Sequence, residues 1–159
     1  ALRLLAEDSL NSLEHYSSGQ VALAASCFAR LGFHPGRGWV ETMVEASLGR
    51  LSRWRPGDLA FTLWALTKWG VSPPTAWMEE FYVAFQSRGE SLSEWHLALV
   101  CWSLGAGALR GGPRPPPAFS RHVMLEAQVR FPTLSSRALA HLCWGLACCE
   151  VRPPDFWIR

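Results

Sequence analysis

The sequence predicts an all-α fold, a right-handed α-solenoid of about four helix-turn-helix repeats of 38 residues. Three observations predict it. One apolar helical segment recurs at a fixed shift; an aromatic residue follows a proline at that same shift; and half of the expected helices are apolar nearly all round, which suits a stack in which neighbours cover both sides.

The recurring segment is DLAFTLWALTKWGVSPP, starting at Asp58. A shift of 38 residues lays it over QVALAASCFARLGFHPG from Gln20 and over HLALVCWSLGAGALRGG from His96, and a shift of 80 lays it over ALAHLCWGLACCEVRPP from Ala138. Its columns agree in kind: Val21, Leu59, Leu97 and Leu139; Ala22, Ala60, Ala98 and Ala140; Phe28, Leu66, Leu104 and Leu146. Ser26, Trp64, Trp102 and Trp144 form a fourth column.

The register extends beyond this segment. Trp39, Trp77, Phe119 and Trp157 are spaced 38, 42 and 38 apart, each four residues past a proline (Pro35, Pro73, Pro115, Pro153). Tyr16, Trp54, Leu92 and Leu134 keep a 38, 38, 42 rhythm, and Leu2, Leu5, Leu10 and Leu13 fall over Val40, Met43, Leu48 and Leu51. The four extra residues are assigned to the turn RGGPRPPP, where an insertion need not disturb packing.

Each repeat therefore reads as two helices. The first opens at proline, whose missing N–H is no loss in a first turn, and continues as GWVETMVEASLGRL or TAWMEEFYVAFQS. The second closes at glycine, Gly32 or Gly70, the residue type suited to a left-handed cap. Expected repeats are 1–34, 35–72, 73–114 and 115–152, with 153–159 starting another, so the chain is expected to be part of a longer solenoid. Small alanines beside large tryptophans predict interlocking hairpins, with Trp64, Trp77, Trp102 and Trp144 as buried packing residues.

PPTAW at Pro73–Trp77, with LAFTLWAL at Leu59–Leu66 and LAHLCWGL at Leu139–Leu146, resembles the octotricopeptide repeat. The likeness covers essentially the whole chain, and the period separates it from the ~34-residue tetratricopeptide and ~40–47-residue HEAT classes. The resemblance implies an RNA-binding protein of the mitochondrial matrix or chloroplast stroma of green algae, one that stabilises or positions organellar RNA. Its RNA would be a transcript, or ribosomal RNA if the protein is a resident ribosome component. Neighbouring proteins of a ribonucleoprotein complex are further expected partners. The chain departs from the pattern at Ser26, where other repeats carry Trp, and at the third repeat, which closes as GALRGGPRPPP.

The charge is compatible with that role without demanding it. Fifteen Lys+Arg against thirteen Asp+Glu give only +2, but every cation except Lys68 is Arg, the residue of bidentate and stacking contacts. Arg50, Arg53 and Arg55 bracket one turn, and Arg110, Arg114, Arg121, Arg130 and Arg137 leave the stretch 110–137 at +4 once Glu126 is subtracted. These eight are the expected RNA-binding residues, and the alternative is an ordinary solvated rim. Glu79, Glu80, Glu90 and Glu94 outweigh Arg88 in an acidic stretch, which would serve a protein–protein scaffold instead.

The remaining motifs point away from chemistry. His141, Cys143, Cys148 and Cys149 lie close together but include no CxxC pair, and Cys143 falls in the column of Leu63 and Cys101, so it reads as a small core residue rather than a metal ligand. The five cysteines are expected to be free and buried, since they are odd in number and lie in apolar helical patterns. Asp8, Asp58 and Asp155 occupy unrelated repeat positions, and no nucleophile elbow, Walker loop or dinucleotide fingerprint occurs. No enzyme activity, cofactor or metal is expected. No apolar run approaches the ~20 residues that cross a bilayer, so no membrane partner is expected either. Trp95, between Glu94 and His96, is the expected exposed aromatic.

Overall fold

The structure, a computed structural model, describes residues 1–153 apart from the side chain of Glu90. Asp155 and Trp157, and with them the further repeat expected to begin at 153, lie outside the described residues.

The chain is all-helical among the described residues. Its helices are α1 (Leu2–Leu10), α2 (Ser18–Arg30), α3 (Arg37–Ser47), α4 (Pro56–Lys68), α5 (Thr75–Gln86), α6 (Glu94–Leu109), α7 (Pro117–Arg130) and α8 (Ser136–Cys148). A 3₁₀ turn joins the two helices of each hairpin: Leu13–His15, Leu51–Arg53, Gly89–Ser91 and Phe131–Thr133. Those turns begin 38, 38 and 42 residues apart, and so do α2, α4, α6 and α8.

The shared register has a local cause at each end of the second helices. Ser17, Ser93 and Ser135 precede α2, α6 and α8, and their hydroxyls accept from the backbone N–H of Gln20, His96 and Ala138 at 3.2–3.3 Å. Each such cap contributes about 1 kcal/mol. The same position before α4 holds Arg55, and there Pro56 starts the helix instead. At the far ends, Phe33, Val71, Gly112 and Val151 each donate a backbone N–H to the carbonyl five residues back, at 2.9–3.0 Å. That bond needs a left-handed residue just before it, supplied by Gly32, Gly70, Gly111 and, as the only non-glycine among described residues with positive φ, Glu150.

Gly111 marks a difference from expectation. The four extra residues were assigned to the turn, but three of them lengthen α6, which runs to Leu109 where the register of α4 would stop it at Ala106. Without glycine at Ala108 the helix has no left-handed exit there and continues to the next one available.

The chain divides into two compact units, Ala1–Ser87 and Arg88 onward, a boundary that falls between α5 and α6. In the N-terminal unit like packs on like: first helix α1 on first helix α3, second helix α2 on second helix α4, with the turn Leu51–Arg53 against α5. Trp39 and Trp77 are buried there, and so is Trp54. The Nε1 of Trp39 donates to Ser9 Oγ at 3.0 Å and that of Trp77 to Ser47 Oγ at 2.8 Å, the same bond one repeat apart. Burying an indole is favourable only when its N–H finds such an acceptor.

In the C-terminal unit α6 packs on α8 and on α7. The α6–α8 contact is backbone to backbone: a Cβ added to Gly145 would overlap the Cys101 carbonyl, and one added to Gly105 would come within 2.7 Å of the Gly145 Cα. Phe119, Val123 and Ala127 of α7 are buried. No helix among the described residues is long and apolar enough to cross a membrane.

Candidate functional site

The eight arginines expected to contact RNA divide between the units. Arg50, Arg53 and Arg55 are exposed on the α3–α4 connection of the N-terminal unit. Arg50 Nη1 approaches the carbonyls of Glu14 and Ala46 at 3.3 and 3.4 Å, which leans it back along the previous turn. The backbone of this turn already holds an anion, since Glu80 accepts from Gly49 N at 2.6 Å and from Leu51 N at 2.8 Å.

In the C-terminal unit, Arg110, Arg114, Arg121 and Arg137 are exposed. Arg114 pairs bidentately with Glu150, at 2.7 and 2.5 Å, a surface pair worth at most about 1 kcal/mol and open to competition by a stronger anion. Arg114 and Arg121 come together with Arg152 around a groove of about 780 Å³ whose lining includes Met124 and Leu125. Arg130 departs from the expected exposed track. Its side chain is 17% exposed, and it donates to the carbonyls of Leu92 at 2.9 Å, Gly89 at 2.6 Å and Glu126 at 2.9 Å, besides pairing with the Glu126 carboxylate. These bonds tie α7 to the turn Gly89–Ser91, so Arg130 is a fold residue.

Charge is sorted by structural class. The first helices carry seven acids (Glu7, Asp8, Glu41, Glu45, Glu79, Glu80, Glu126) and four arginines (Arg3, Arg37, Arg121, Arg130). The second helices carry two acids, Asp58 and Glu94, against Arg30, Lys68 and Arg137. Both of those acids are engaged in their first turns: Asp58 accepts from Ser18 Oγ at 2.8 Å and Glu94 from Ser135 N at 2.7 Å. Beyond those turns the second helices present cations and rings and no carboxylate.

The rings include the tryptophans expected to be buried. Trp77 is buried as expected, but Trp64 and Trp102 are half-buried and Trp144 is 41% exposed. Their column lies on the open side of the second helices, while the covered side is the one carrying Val21 and Phe28, Leu59 and Leu66, and Leu97 and Leu104. In the N-terminal unit the Arg30 guanidinium lies 5.9 Å from the Phe61 ring. In the C-terminal unit Arg137 lies 5.0 Å over Trp95, His141 meets the same ring edge-on at 5.8 Å, and Trp102 stacks with Trp144 at 6.2 Å and 22°. Cation and ring attract each other through the ring quadrupole.

Sequence reasoning singled out Trp95, which is half-buried rather than exposed, and missed the open placement of Trp64, Trp102 and Trp144, although a signal was present. Trp64 stands four residues before Lys68 and Trp144 seven after Arg137, so each shares a helical stripe with a cation that belongs in water.

The cysteines also differ from expectation. All are free, but Cys27 and Cys143 are exposed and Cys148 is intermediate; only Cys101 and Cys149 are buried. Cys143 is thus a surface residue, because the flank of α8 that carries it faces solvent. Burial holds the Cys101 thiol far above its usual range, and burial together with the nearby Cys148 pushes Cys149 up to about 11. No group of three metal-ligating side chains is assembled among the described residues.

Comparison with known proteins returns no matching family model, no matching curated relative and no matching solved structure.

Proposed function

We propose that the protein binds RNA without catalysing a reaction, as a helical-repeat component of a mitochondrial or chloroplast ribonucleoprotein. In this reading its hairpins continue one another as a right-handed solenoid of about four repeats, and it holds an organellar transcript or ribosomal RNA in position. The observation that carries the reading is the sorting of charge: carboxylates outnumber arginines seven to four on the first helices, α7 with its exposed Arg121 being the exception, whereas cations prevail on the α3–α4 connection and on the second helices. A polyanion is repelled by one class of surface and attracted by the other. Arg53, Arg55, Arg121 and Arg137 are the phosphate contacts, joined by Arg114 when RNA displaces Glu150. The repeat-by-repeat register of helices, turns and caps supports the family likeness on which the organellar assignment rests.

The test is retention of a single-stranded RNA by the purified chain across a salt series. Affinity is expected to fall steeply with salt, the slope losing about one unit for each phosphate contact removed by Arg53→Gln or Arg121→Gln. A flat salt dependence overturns the reading. A tagged full-length protein found outside both organelles overturns the assignment of compartment.

One observation favours a second reading, a protein–protein scaffold. Leu125, Val129 and Phe131 are 49%, 78% and 51% exposed in and just beyond α7, an apolar strip that RNA does not explain. Loss of a co-purifying protein on Val129→Glu, with RNA affinity unchanged, would assign that strip to a protein neighbour.

A further inference from the structure

The open face of the α6–α8 pair has a composition that phosphate binding alone does not require. Trp95 and Trp102 are separated by seven residues on α6, and Arg137 and Trp144 by seven on α8. Each separation is two helical turns, roughly 10 Å, about the length of three nucleotides at a strand rise of ~3.4 Å. One end of the face holds the Arg137–Trp95–His141 group and the other the near-parallel Trp102–Trp144 pair, with Trp144 presenting 41% of its surface. The glycines at Gly105 and Gly145 bring the two helices close enough for these groups to meet across the pair.

We infer that this face is a stacking platform for unpaired nucleobases, with the exposed ring of Trp144 and the guanidinium of Arg137, 5.0 Å over Trp95, as its two contact surfaces. The inference rests on the RNA-binding reading and specifies what part of the RNA is read. Charge complementarity selects the occupant: the only carboxylate on these two helices, Glu94, is engaged with the Ser135 N–H, so the face offers planes and cations to a ligand that is planar and anionic. A paired duplex hides its base faces, so the platform takes single strands. Stacking is tolerant of base identity, since every base has a π-face.

The experiment compares three probes on the intact chain: a short oligouridylate, an abasic ribose-phosphate oligomer of the same length, and a length-matched RNA duplex. Oligouridylate is expected to quench tryptophan fluorescence and to bind roughly tenfold or more tightly than either of the others. Trp144→Leu, which keeps bulk but removes the plane, is expected to weaken oligouridylate by about 5- to 100-fold and leave the abasic oligomer unchanged. Trp144→Phe should retain most of the affinity, and Arg137→Lys should lose oligouridylate binding in excess of abasic binding, because charge is kept and the plane is lost. Equal affinity for the abasic oligomer, or native affinity in Trp144→Leu, overturns the platform while leaving RNA binding intact. If none of the three probes binds at low salt, the RNA-binding reading falls with it and the face belongs to a polypeptide.

Discussion

The second-helix pairs α2–α4 and α6–α8 occupy the same register and are built differently. Where the first pair has Ala29 and Ala65, the second has Gly105 and Gly145. The N-terminal unit keeps Trp39, Trp54 and Trp77 inside, with the first and last of these satisfied by serine hydroxyls, and leaves Trp64 and Trp69 half-buried. In the C-terminal unit no described tryptophan is buried: Trp95 and Trp102 are half-buried and Trp144 is exposed. One hairpin plan thus serves two ends. Large rings inside stabilise a hairpin, whereas glycines inside let two helices close up and carry their rings on the surface, where a ligand can reach them.

The comparison can be broken most severely at Trp77. Trp77→Ala removes a wholly buried ring and the N–H that Ser47 Oγ accepts, and is expected to cost about 3–5 kcal/mol, read as a lower denaturation midpoint. Arg130→Ala comes next: two backbone carbonyls lose a charged donor, at about 1.5–3 kcal/mol each before relaxation, in the C-terminal unit. Gly145→Ala forces α8 away from the Cys101 carbonyl and is expected to cost about 1–3 kcal/mol, while Ala65→Gly at the matching position of α4 costs about 1 kcal/mol through helix propensity alone. If the two prove equal, the pairs are packed alike and the contrast fails. Trp144→Leu sits at the lower end, about 1 kcal/mol or less of stability, since the ring is partly exposed and its partner is one stacked indole.

The smallest effect expected is chemical. Mild alkylation of the native chain should label Cys27 and Cys143 first, with Cys101 and Cys149 protected until unfolding, because both buried thiols titrate above their ordinary range and only thiolate reacts. Raising the pH toward 11 increases thiolate at Cys149 before Cys101, so mass spectrometry of labelled peptides should report that order. Early labelling of Cys101 would mean that α6 and α8 part easily.

The arginines show a similar division between what can be read in the chain and what cannot. Arg53, Arg55 and Arg121 were placed on the surface by their neighbourhood in turns and at polar positions, and they lie there. Arg130 has the same kind of neighbourhood, but its donors are consumed by Leu92 and Gly89, some forty residues back, so no local window could reveal it. Arg114 looked unopposed for the same reason, its partner Glu150 being a repeat away.

Helix ends, caps, turn positions and the period were determined by the sequence alone, because each depends on residues a few positions apart: a serine before a helix, a glycine or its lack after one, a ring four residues past a proline. Which stripe of each second helix would be covered was decided only by tertiary structure. Trp64, Trp102 and Trp144 lie on helices that are apolar on nearly every side, so hydrophobic pattern assigns them no preferred direction. What covers the stripe of Leu59 and Leu66, or of Leu97 and Leu104, and leaves the tryptophans open is the close approach of one helix to the next, which small residues such as Gly105 and Gly145 permit and large ones prevent.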